Sequence, residues 1–410
     1  MEKYSCVFVT GGAGTGKTTL LKQFVEKYPG GTAVVAPTGI AALNCGGQTI
    51  HKFFGFPARS VDKDALQLSK NSLLFRRIET LVIDEISMVR ADVMDNIDFS
   101  LRKYREQPDA PFGGVNLLLV GDLYQLPPVV VEKPELEMLR KRYGSEHFFS
   151  APAFKNLPIR LHELLDVKRQ SDLVFTSLLN ALRIGKLSKT HVAMLNTLVD
   201  KNGAEKDNLL VLCPTNRDAA QINQTRLSLI NSNLRKYIGI AKDKQPDKLP
   251  APQVLELKVG ARVMFTKNNG SKWVNGTVGT IRKLDDDEIK VKIDNSGRTE
   301  TVLRECWENF EVDYDANADV LKSKLVGTFE QFPLMPAWAT TIHKSQGQTL
   351  ERVHIDLGSS LFSTGQLYVA LSRATTLEGV SLSRSIRESD VKFDGAIESF
   401  MSRLREFQPK

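Results

Sequence analysis

The chain is poor in the residues that build disulfide or metal frameworks. Its four cysteines, Cys6, Cys45, Cys213 and Cys306, lie far apart, and no C-x-x-C pair occurs. Neither a zinc site nor a disulfide ladder is indicated, and a reducing, intracellular setting is expected. No apolar run approaches the roughly 18 residues that a spanning helix needs. The N-terminus enters an apolar strand directly, without the charged and apolar regions of a secretion signal, so a soluble protein is expected. Charge of one sign is only mildly in excess. The 55 lysines and arginines against 48 acidic residues give a net +7, a balance that suits a polyanionic partner without demanding one.

What is present is enough chain for more than one core. At about 150 residues per domain, 410 residues set a prior of two to three domains. The most informative stretch is Val7-Phe8-Val9-Thr10 running into Gly11-Gly12-Ala13-Gly14-Thr15-Gly16-Lys17-Thr18 and then an amphipathic segment. An apolar strand, G-x-x-x-x-G-K-T and a helix make a phosphate-binding loop. Its glycines let consecutive backbone N–H groups converge on phosphates, Lys17 sets a charge against the β and γ oxygens, and the Thr18 hydroxyl is a Mg²⁺ ligand. Gly12, Ala13, Gly14, Thr15, Gly16, Lys17, Thr18 and Thr19 are therefore the candidate nucleotide contacts.

Short apolar runs recur at Cys6–Thr10, Thr32–Ala36, Thr80–Ile83 and Asn116–Val120, separated by helix-length segments. That alternation predicts a doubly wound α/β core with ligand groups at the carboxyl ends of its strands. Two further polar groups stand at such ends. Asp84-Glu85 follows the third run: Asp84 is placed to hold Mg²⁺ and Glu85 to orient or deprotonate the attacking water. Gln125, in Gly121-Asp122-Leu123-Tyr124-Gln125-Leu126-Pro127-Pro128, has the reach and two-way hydrogen bonding to sense a γ-phosphate.

The strand pattern returns at Leu209–Cys213, Ala339–Ile342, Val353–Ile355 and Gly379–Leu382, with helices expected near Arg217–Lys236, Ser363–Leu371 and Glu388–Glu406. A second core follows, and the expectation is two similar sheets facing one another across the nucleotide. Between Lys258 and Phe329 the pattern changes to alternating β-type residues with turn signals, which predicts a small inserted β-barrel. Its run Asp285-Asp286-Asp287-Glu288 reads as a solvated turn. Its Lys267, Lys272, Trp273, Lys283 and Lys290 are a mixture of cations and an aromatic that suits a place beside DNA.

Together the motifs resemble the Pif (petite integration frequency) type of superfamily-one DNA helicases, in the branch that also holds the RecD-like enzymes. The resemblance runs in family order through Ala36–Ala42, Thr49–Phe54, Asp84–Ser87, Gly121–Pro128, Val167–Gln170, Pro214–Asn216, Thr341–Gly347 and Tyr368–Ala374. Asp172–Leu187 resembles the helical signature that separates this family from its RecD-like relatives. The resemblance implies two RecA-like P-loop cores with a small Src-homology-three-like β-barrel inserted. The first core is expected over residues 1–165, with a short wedge-type insert near 55–77 carrying Arg59, Lys63, Lys70, Arg76 and Arg77. The second is expected over 166–257 and 330–410, and the barrel over 258–329.

It also implies roles. Arg169 and Arg373 match the family arginines that reach the γ-phosphate, a task that suits a permanent charge able to fork onto phosphoryl oxygens. With Lys17, Glu85 and Gln125 they form the expected catalytic set, while Asp84, Gln346 and Gly347 join the nucleotide contacts and Thr18 and Asp84 the metal site. Pro37, Thr38, Gly39, His51, Lys52, Phe53, Thr215, Asn216, Thr341, His343 and Lys344 match positions that face single-stranded DNA or couple it to ATP. Family members read adenine with a helix and a glutamine ahead of the P-loop, whereas the ten residues before Gly11 contain no glutamine.

The implied activity is an ATP- and Mg²⁺-dependent DNA helicase, monomeric on DNA, moving 5′-to-3′ on single strands and unwinding forked or tailed duplex, with roles in repair, recombination or telomere maintenance. The compartment would be cytoplasm or nucleoid in a bacterium, nucleus or mitochondrion in a eukaryote. Two alternatives stay open at this stage: a DNA-stimulated translocase that remodels protein–DNA complexes without processive unwinding, and an accessory nucleotide switch. The second fits the hydrolytic set poorly, since a pure binder needs no Glu85, Gln125 or arginine pair.

Overall fold

Strands covered on both faces read as unbroken apolar runs, and the computed structural model turns these runs into parallel strands. It describes all residues except 1–4, 29, 57–71, 131–132, 171, 207–208, 244–248, 270–271, 274, 295, 316–319 and 407–410. Two compact units result, one comprising residues 1–168, 310–326 and 394–410, the other residues 169–309 and 327–393.

In the first unit six strands, β1 (Cys6–Gly11), β2 (Thr32–Ala36), β3 (Gln48–Thr49), β4 (Thr80–Ile83), β5 (Asn116–Val120) and β6 (Ile159–Leu164), form one sheet in the order β3-β2-β4-β5-β1-β6. All five pairings are parallel. The four expected strands are there, with two more that the apolar pattern does not mark. β3 has only two residues, and the edge strand β6, Ile-Arg-Leu-His-Glu-Leu, mixes polar with apolar side chains because neither face is fully covered. Helices α1 (Lys17–Lys27), α2 (Gly39–Cys45), α3 (Ile50–Phe54), α4 (Ser72–Arg77), α5 (Ala91–Tyr104) and α6 (Lys133–Tyr143) connect the strands.

The second unit begins with α7 (Leu173–Arg183) and α8 (Lys189–Asn196), then β7 (Leu210–Cys213) and α9 (Asn216–Ser228). Asp172 caps α7 by accepting the N–H groups of Val174 and Phe175 at 2.8 and 3.2 Å. The helix α9 stops short of the expected end at Lys236. The turn-forming run Asn231-Ser232-Asn233 intervenes, and the chain resumes as a strand.

A β-rich stretch follows, of which residues 310–326 count with the first unit: β8 (Arg235–Ile238), β9 (Ile240–Asp243), β10 (Val254–Leu257), β11 (Arg262–Phe265), β12 (Val278–Leu284), β13 (Glu288–Ile293), β14 (Thr299–Leu303), β15 (Glu305–Asp315), β16 (Val320–Gln331) and β17 (Leu334–Pro336). Five of these strands make an antiparallel sheet in the order β14-β13-β12-β11-β17, and the rest form a β10-β8 pair and a β15-β16-β9 sheet. Tyr237, Leu255 and Leu257 share one apolar cluster with Val263, Phe265, Ile289, Val291 and Leu334. The β-rich region is thus wider than the expected 258–329, and among the described residues no pairing closes its five-stranded sheet into a barrel.

Trp273 is a correction to the expected DNA-facing set. It is buried, stacks on Phe265 at 4.5 Å between centroids and donates its indole N–H to the Lys267 carbonyl, so the ring is packing material. The cations nearby sit against acids: Lys267 on Glu305 at 2.9 Å, Lys283 on Asp285 at 2.7 Å. Asp285 to Glu288 form the turn between β12 and β13, as expected.

The second sheet is completed by β18 (Ala339–Thr341), β19 (Val353–Ile355) and β20 (Val380–Leu382), parallel in the order β18-β7-β19-β20, with α10 (Gln366–Leu371) following β19. The last helix, α11 (Gly395–Glu406), belongs to the first unit rather than to the second core. Its apolar face explains this: Phe400 stacks on Phe149 at 4.3 Å and meets Phe148 edge-on at 6.0 Å. None of the helices described is long and apolar enough to cross a membrane.

Of the expected wedge-type insert, Arg59, Lys63 and Lys70 lie outside the described residues. Its end, α4, turns inward: Phe75 is fully buried, stacks on Tyr104 at 4.3 Å and Phe54 at 5.3 Å, and meets Phe53 edge-on at 5.5 Å. Arg76 pairs with Glu106 and donates to the Tyr104 carbonyl at 3.0 Å. Phe53, expected among the DNA contacts, is therefore a core residue at 6% exposure, its ring packed against Phe54 and Phe75 rather than open to a base. Phe53→Ala is expected to cost about 3 to 5 kcal/mol of stability, the usual range for a buried phenylalanine, as read from urea unfolding. A variant that unfolds like the parent but binds single-stranded DNA less tightly would return Phe53 to the DNA surface.

Candidate functional site

The first unit's site grows from the end of β1. Two loop glycines take left-handed backbone angles that only glycine adopts at ease, Gly14 at φ 80° and Gly16 at φ 90°. Gly16 caps α1, so the loop delivers the N–H groups of a helix N-terminus to one concavity. The Thr15 hydroxyl donates to the Gly12 carbonyl at 2.9 Å and braces the turn. The ammonium of Lys17 folds over the loop, donating to the Gly11 and Gly12 carbonyls at 2.8 and 3.0 Å. Those carbonyls hold the charge at the mouth of the cradle.

Register brings the remaining groups to the same edge. Val9 pairs with Val120, and Leu119 with Ile83, so Gly11, Gly121 and Asp84 emerge side by side where the three strands end. Asp84 is buried, and burial raises its carboxyl above the ordinary carboxylate range, against the opposing pull of the Glu85 N–H at 2.9 Å and the Lys17 charge. A buried acid at the strand end beside a phosphate loop that carries the Thr18 hydroxyl is the kind of oxygen donor set that could hold Mg²⁺. Glu85 carries a left-handed backbone, φ 49°, which costs a non-glycine residue energy and is typical of residues held in place for function. The turn after β5 is organised by Asp122, wholly buried. Its carboxylate accepts from the Tyr124 N–H at 3.3 Å and from the Gln125 side-chain amide at 3.2 Å, and its carbonyl accepts from the Gln125 N–H at 3.0 Å.

In the second unit, two arginines far apart in the chain meet at one serine. Arg169 donates to the Ser372 carbonyl at 3.1 Å, and Arg373 donates to the Ser372 hydroxyl at 2.8 Å. Arg373 is 1% exposed and also donates to the carbonyls of Val369, Ser345 and Gln348, while Arg169 reaches the Gly347 carbonyl at 3.5 Å. Burial lowers the pKa of Arg169; a guanidinium keeps its charge regardless. Gln170 donates to the carbonyls of Ser372 at 3.3 Å and Ala374 at 2.9 Å. The Thr341–Gly347 and Tyr368–Ala374 segments and Arg169 are thus one connected group.

The threonines expected to touch DNA share a structural task. Thr38, Thr215 and Thr341 each accept the N–H of the residue three positions on, at 3.2 Å in every case. Thr38 and Thr215 thereby cap α2 and α9, each after a strand and a proline. Their hydroxyl oxygens accept the cap bonds, the Thr215 hydroxyl also donates to Asp218 at 2.6 Å, and the turns present backbone N–H at a helix start, next to Pro37, Gly39 and Asn216. Thr49 caps α3 in the same way and so orients His51 and Lys52. His343 lies parallel to the Phe362 ring, centroids 6.2 Å apart, beside Lys344. Asp122, expected at the end of β5 with Gln125, holds that glutamine, while Gln170 and Ser372 join the site without having been expected in it. Their only sequence signal is adjacency to motif residues, since a clamping role needs the fold.

A strand, phosphate loop and helix on a parallel sheet, with an acidic pair at the neighbouring strand end, define the P-loop nucleoside triphosphatase fold. The chain belongs to the PIF1-like helicase family, whose pattern its residues 1–193 match. It is 35% identical over 392 residues to the ATP-dependent DNA helicase PIF1 of Danio rerio, covering 91% of this chain and 58% of that protein. The chain thus spans about three-fifths of the length of the first curated relatives it matches. Among solved structures, Bacteroides Pif1 in complex with ADP-AlF4 is 39% identical with a TM-score of 0.90, covering 98% of this chain and 93% of that one. Bacteroides Pif1 bound to single-stranded DNA is also 39% identical, with a TM-score of 0.70, and 98% and 94% of the two chains are covered.

The raised Asp84 carboxyl has a consequence for stability. A carboxyl whose pKa is higher folded than unfolded makes the folded chain bind more protons, so its contribution worsens as pH rises past its unfolded value of about 3.9. Asp84→Asn is therefore expected to raise the melting temperature of the nucleotide-free protein at pH 7 and to weaken Mg²⁺-nucleotide binding. The gain should shrink as pH falls towards the unfolded value. A melting temperature lowered by the substitution at pH 7 would mean that the Lys17 charge, not burial, governs this carboxyl.

Proposed function

We propose that the chain is a 5′-to-3′ DNA helicase driven by ATP hydrolysis, acting as a monomer on single strands and displacing the complementary strand of tailed or forked duplex. The observation that carries this reading is the convergence of Lys17, Asp84, Glu85 and Gln125 at the ends of three adjacent strands in a chain of the PIF1-like helicase family. The Bacteroides relative bound to ADP-AlF4 supports the nucleotide part, and the one bound to single-stranded DNA supports the track.

In this reading Gly12 to Thr19 hold the triphosphate and Lys17 meets its β and γ oxygens. Mg²⁺, held by Thr18 and Asp84, would neutralise charge on the phosphates. Glu85 orients the attacking water and accepts its proton, Gln125 reports the γ-phosphate, and Arg169 and Arg373 counter the charge that spreads over the departing phosphoryl group. Gln346 and Gly347 belong with the nucleotide. Helix starts at Pro37-Thr38-Gly39 and Thr215-Asn216, with His51, Lys52, Thr341, His343 and Lys344, contact the DNA backbone, which carries no sequence information and so permits stepping.

Lys17→Ala is expected to abolish ATP turnover while single-strand binding stays close to that of the parent. Arg169→Ala should lower kcat by about three to five orders of magnitude, the range known for arginine fingers, with a much smaller change in nucleotide affinity. The decisive measurement is strand displacement on duplexes with a 5′ or a 3′ single-stranded tail, run beside ATP turnover with and without single strands. Unwinding from the 5′ tail alone is the expected outcome. Stimulated turnover with no displacement on either substrate would make the protein a translocase, and turnover indifferent to DNA would overturn the motor reading.

A further inference from the structure

The C-terminal helix α11 is joined to the nucleotide site by groups that no assigned role uses. Asp394 caps it, accepting the Ala396 N–H at 2.9 Å, and its second oxygen meets His147 Nε2 at 2.8 Å. One turn on, the Tyr124 hydroxyl donates to a carboxylate oxygen of Glu398 at 2.8 Å. At the far end Arg405 donates to both carboxylate oxygens of Glu163, at 3.2 and 2.9 Å. Glu163 is on β6 opposite Thr10, one residue before the pair formed by Leu164 and Gly11. Ile397, Phe400, Met401 and Leu404 are buried beneath the helix. The helix therefore grips both flanks of the phosphate site, β6 beside the P-loop strand and the turn after β5.

The grip on that turn falls on the residue next to Gln125. Tyr124 is buried, and its own N–H and the Gln125 amide share the two oxygens of Asp122. The phenol is thus fixed at its backbone end by Asp122 and at its hydroxyl end by Glu398, with the Arg405 guanidinium also beside it. A short aromatic lever with both ends held leaves its neighbour little freedom. An ionised acceptor strengthens such a bond, and in a buried setting the phenol is costly to leave unpaired.

We propose that Glu398, through Tyr124, is a positioning residue for the γ-phosphate sensor Gln125, so that the C-terminal helix sets the rate of hydrolysis without touching nucleotide. The inference rests on the assignment of Gln125 to the γ-phosphate. An indirect hold of this kind serves precision of placement, and small misplacements of a catalytic group act on turnover more than on binding.

The test is steady-state ATP hydrolysis by the full chain with saturating single-stranded DNA, comparing Tyr124→Phe, Glu398→Ala, Glu398→Gln, the Tyr124→Phe/Glu398→Ala double variant and Gln125→Ala. Tyr124→Phe and Glu398→Ala should each lower kcat by about three- to tenfold with KM for ATP within about twofold. Glu398→Gln, which keeps an acceptor oxygen, should restore kcat to within about twofold of the parent, and the double variant should be no slower than the worse single one. Unchanged kcat in Tyr124→Phe, multiplying effects in the double variant, or Glu398→Gln as slow as Glu398→Ala would each overturn the inference. Gln125→Ala separates the two assignments. If it hydrolyses ATP as the parent does, the sensor assignment falls and this inference with it; if it is slow while Tyr124→Phe is not, only this inference falls.

Discussion

The parallel pairing of β1 with β5 and β6, and of β5 with β4, governs the chemistry of the first unit. Parallel strands covered on both faces must stay apolar until they leave the sheet, so their first polar groups appear together at one edge. Three exits, Gly11, Asp84 and Gly121, thereby become neighbours although most of the first unit's sequence separates the first from the last. Each exit then gives up backbone or side-chain freedom to function. The loop glycines turn left-handed, Glu85 is held in the same region at a cost, and Asp122 commits both carboxylate oxygens to the turn that carries Gln125.

The second unit repeats the architecture with a different use. Its parallel sheet has no phosphate loop among the described residues, yet the turn after β7 copies the turn after β2: strand, proline, threonine cap, helix. No repeat is visible in the sequence because the shared part is only a few residues long and the helices differ. Where the first unit gathers acids and a lysine, the second gathers Arg169 and Arg373 around Ser372. Carbonyls of Val369, Ser345 and Gln348 accept from Arg373, and a neutral acceptor holds a guanidinium in place without cancelling its charge as a carboxylate would.

Three expectations changed for one reason. Position in a motif or a domain assigns Phe53, Trp273 and the stretch from Gly395 to Glu406 in the sequence, and each is in fact placed by an apolar face. Phe53 joins the cluster of Phe54, Phe75 and Tyr104, Trp273 fills the inserted β region, and α11 covers Phe148 and Phe149 of the first unit. Aromatic side chains bury more area than any other type, and that term outweighs the prospect of an exposed stacking surface.

The phosphate loop, the acidic pair, the main strands of both sheets and the candidate arginines are legible in the chain because each obeys a local rule: residue type at fixed spacing, apolar continuity over a strand, glycine where a left-handed turn is needed. Which of those groups become neighbours is set by long-range packing. So are the edge strand β6, whose mixed pattern hides its pairing, and the early end of α9, where a short turn gives way to a strand. Above all, packing chose the partners of residues that look ordinary in the chain, Ser372 and Glu398, since a clamp is defined by contacts between residues far apart in sequence, and no local spacing records them.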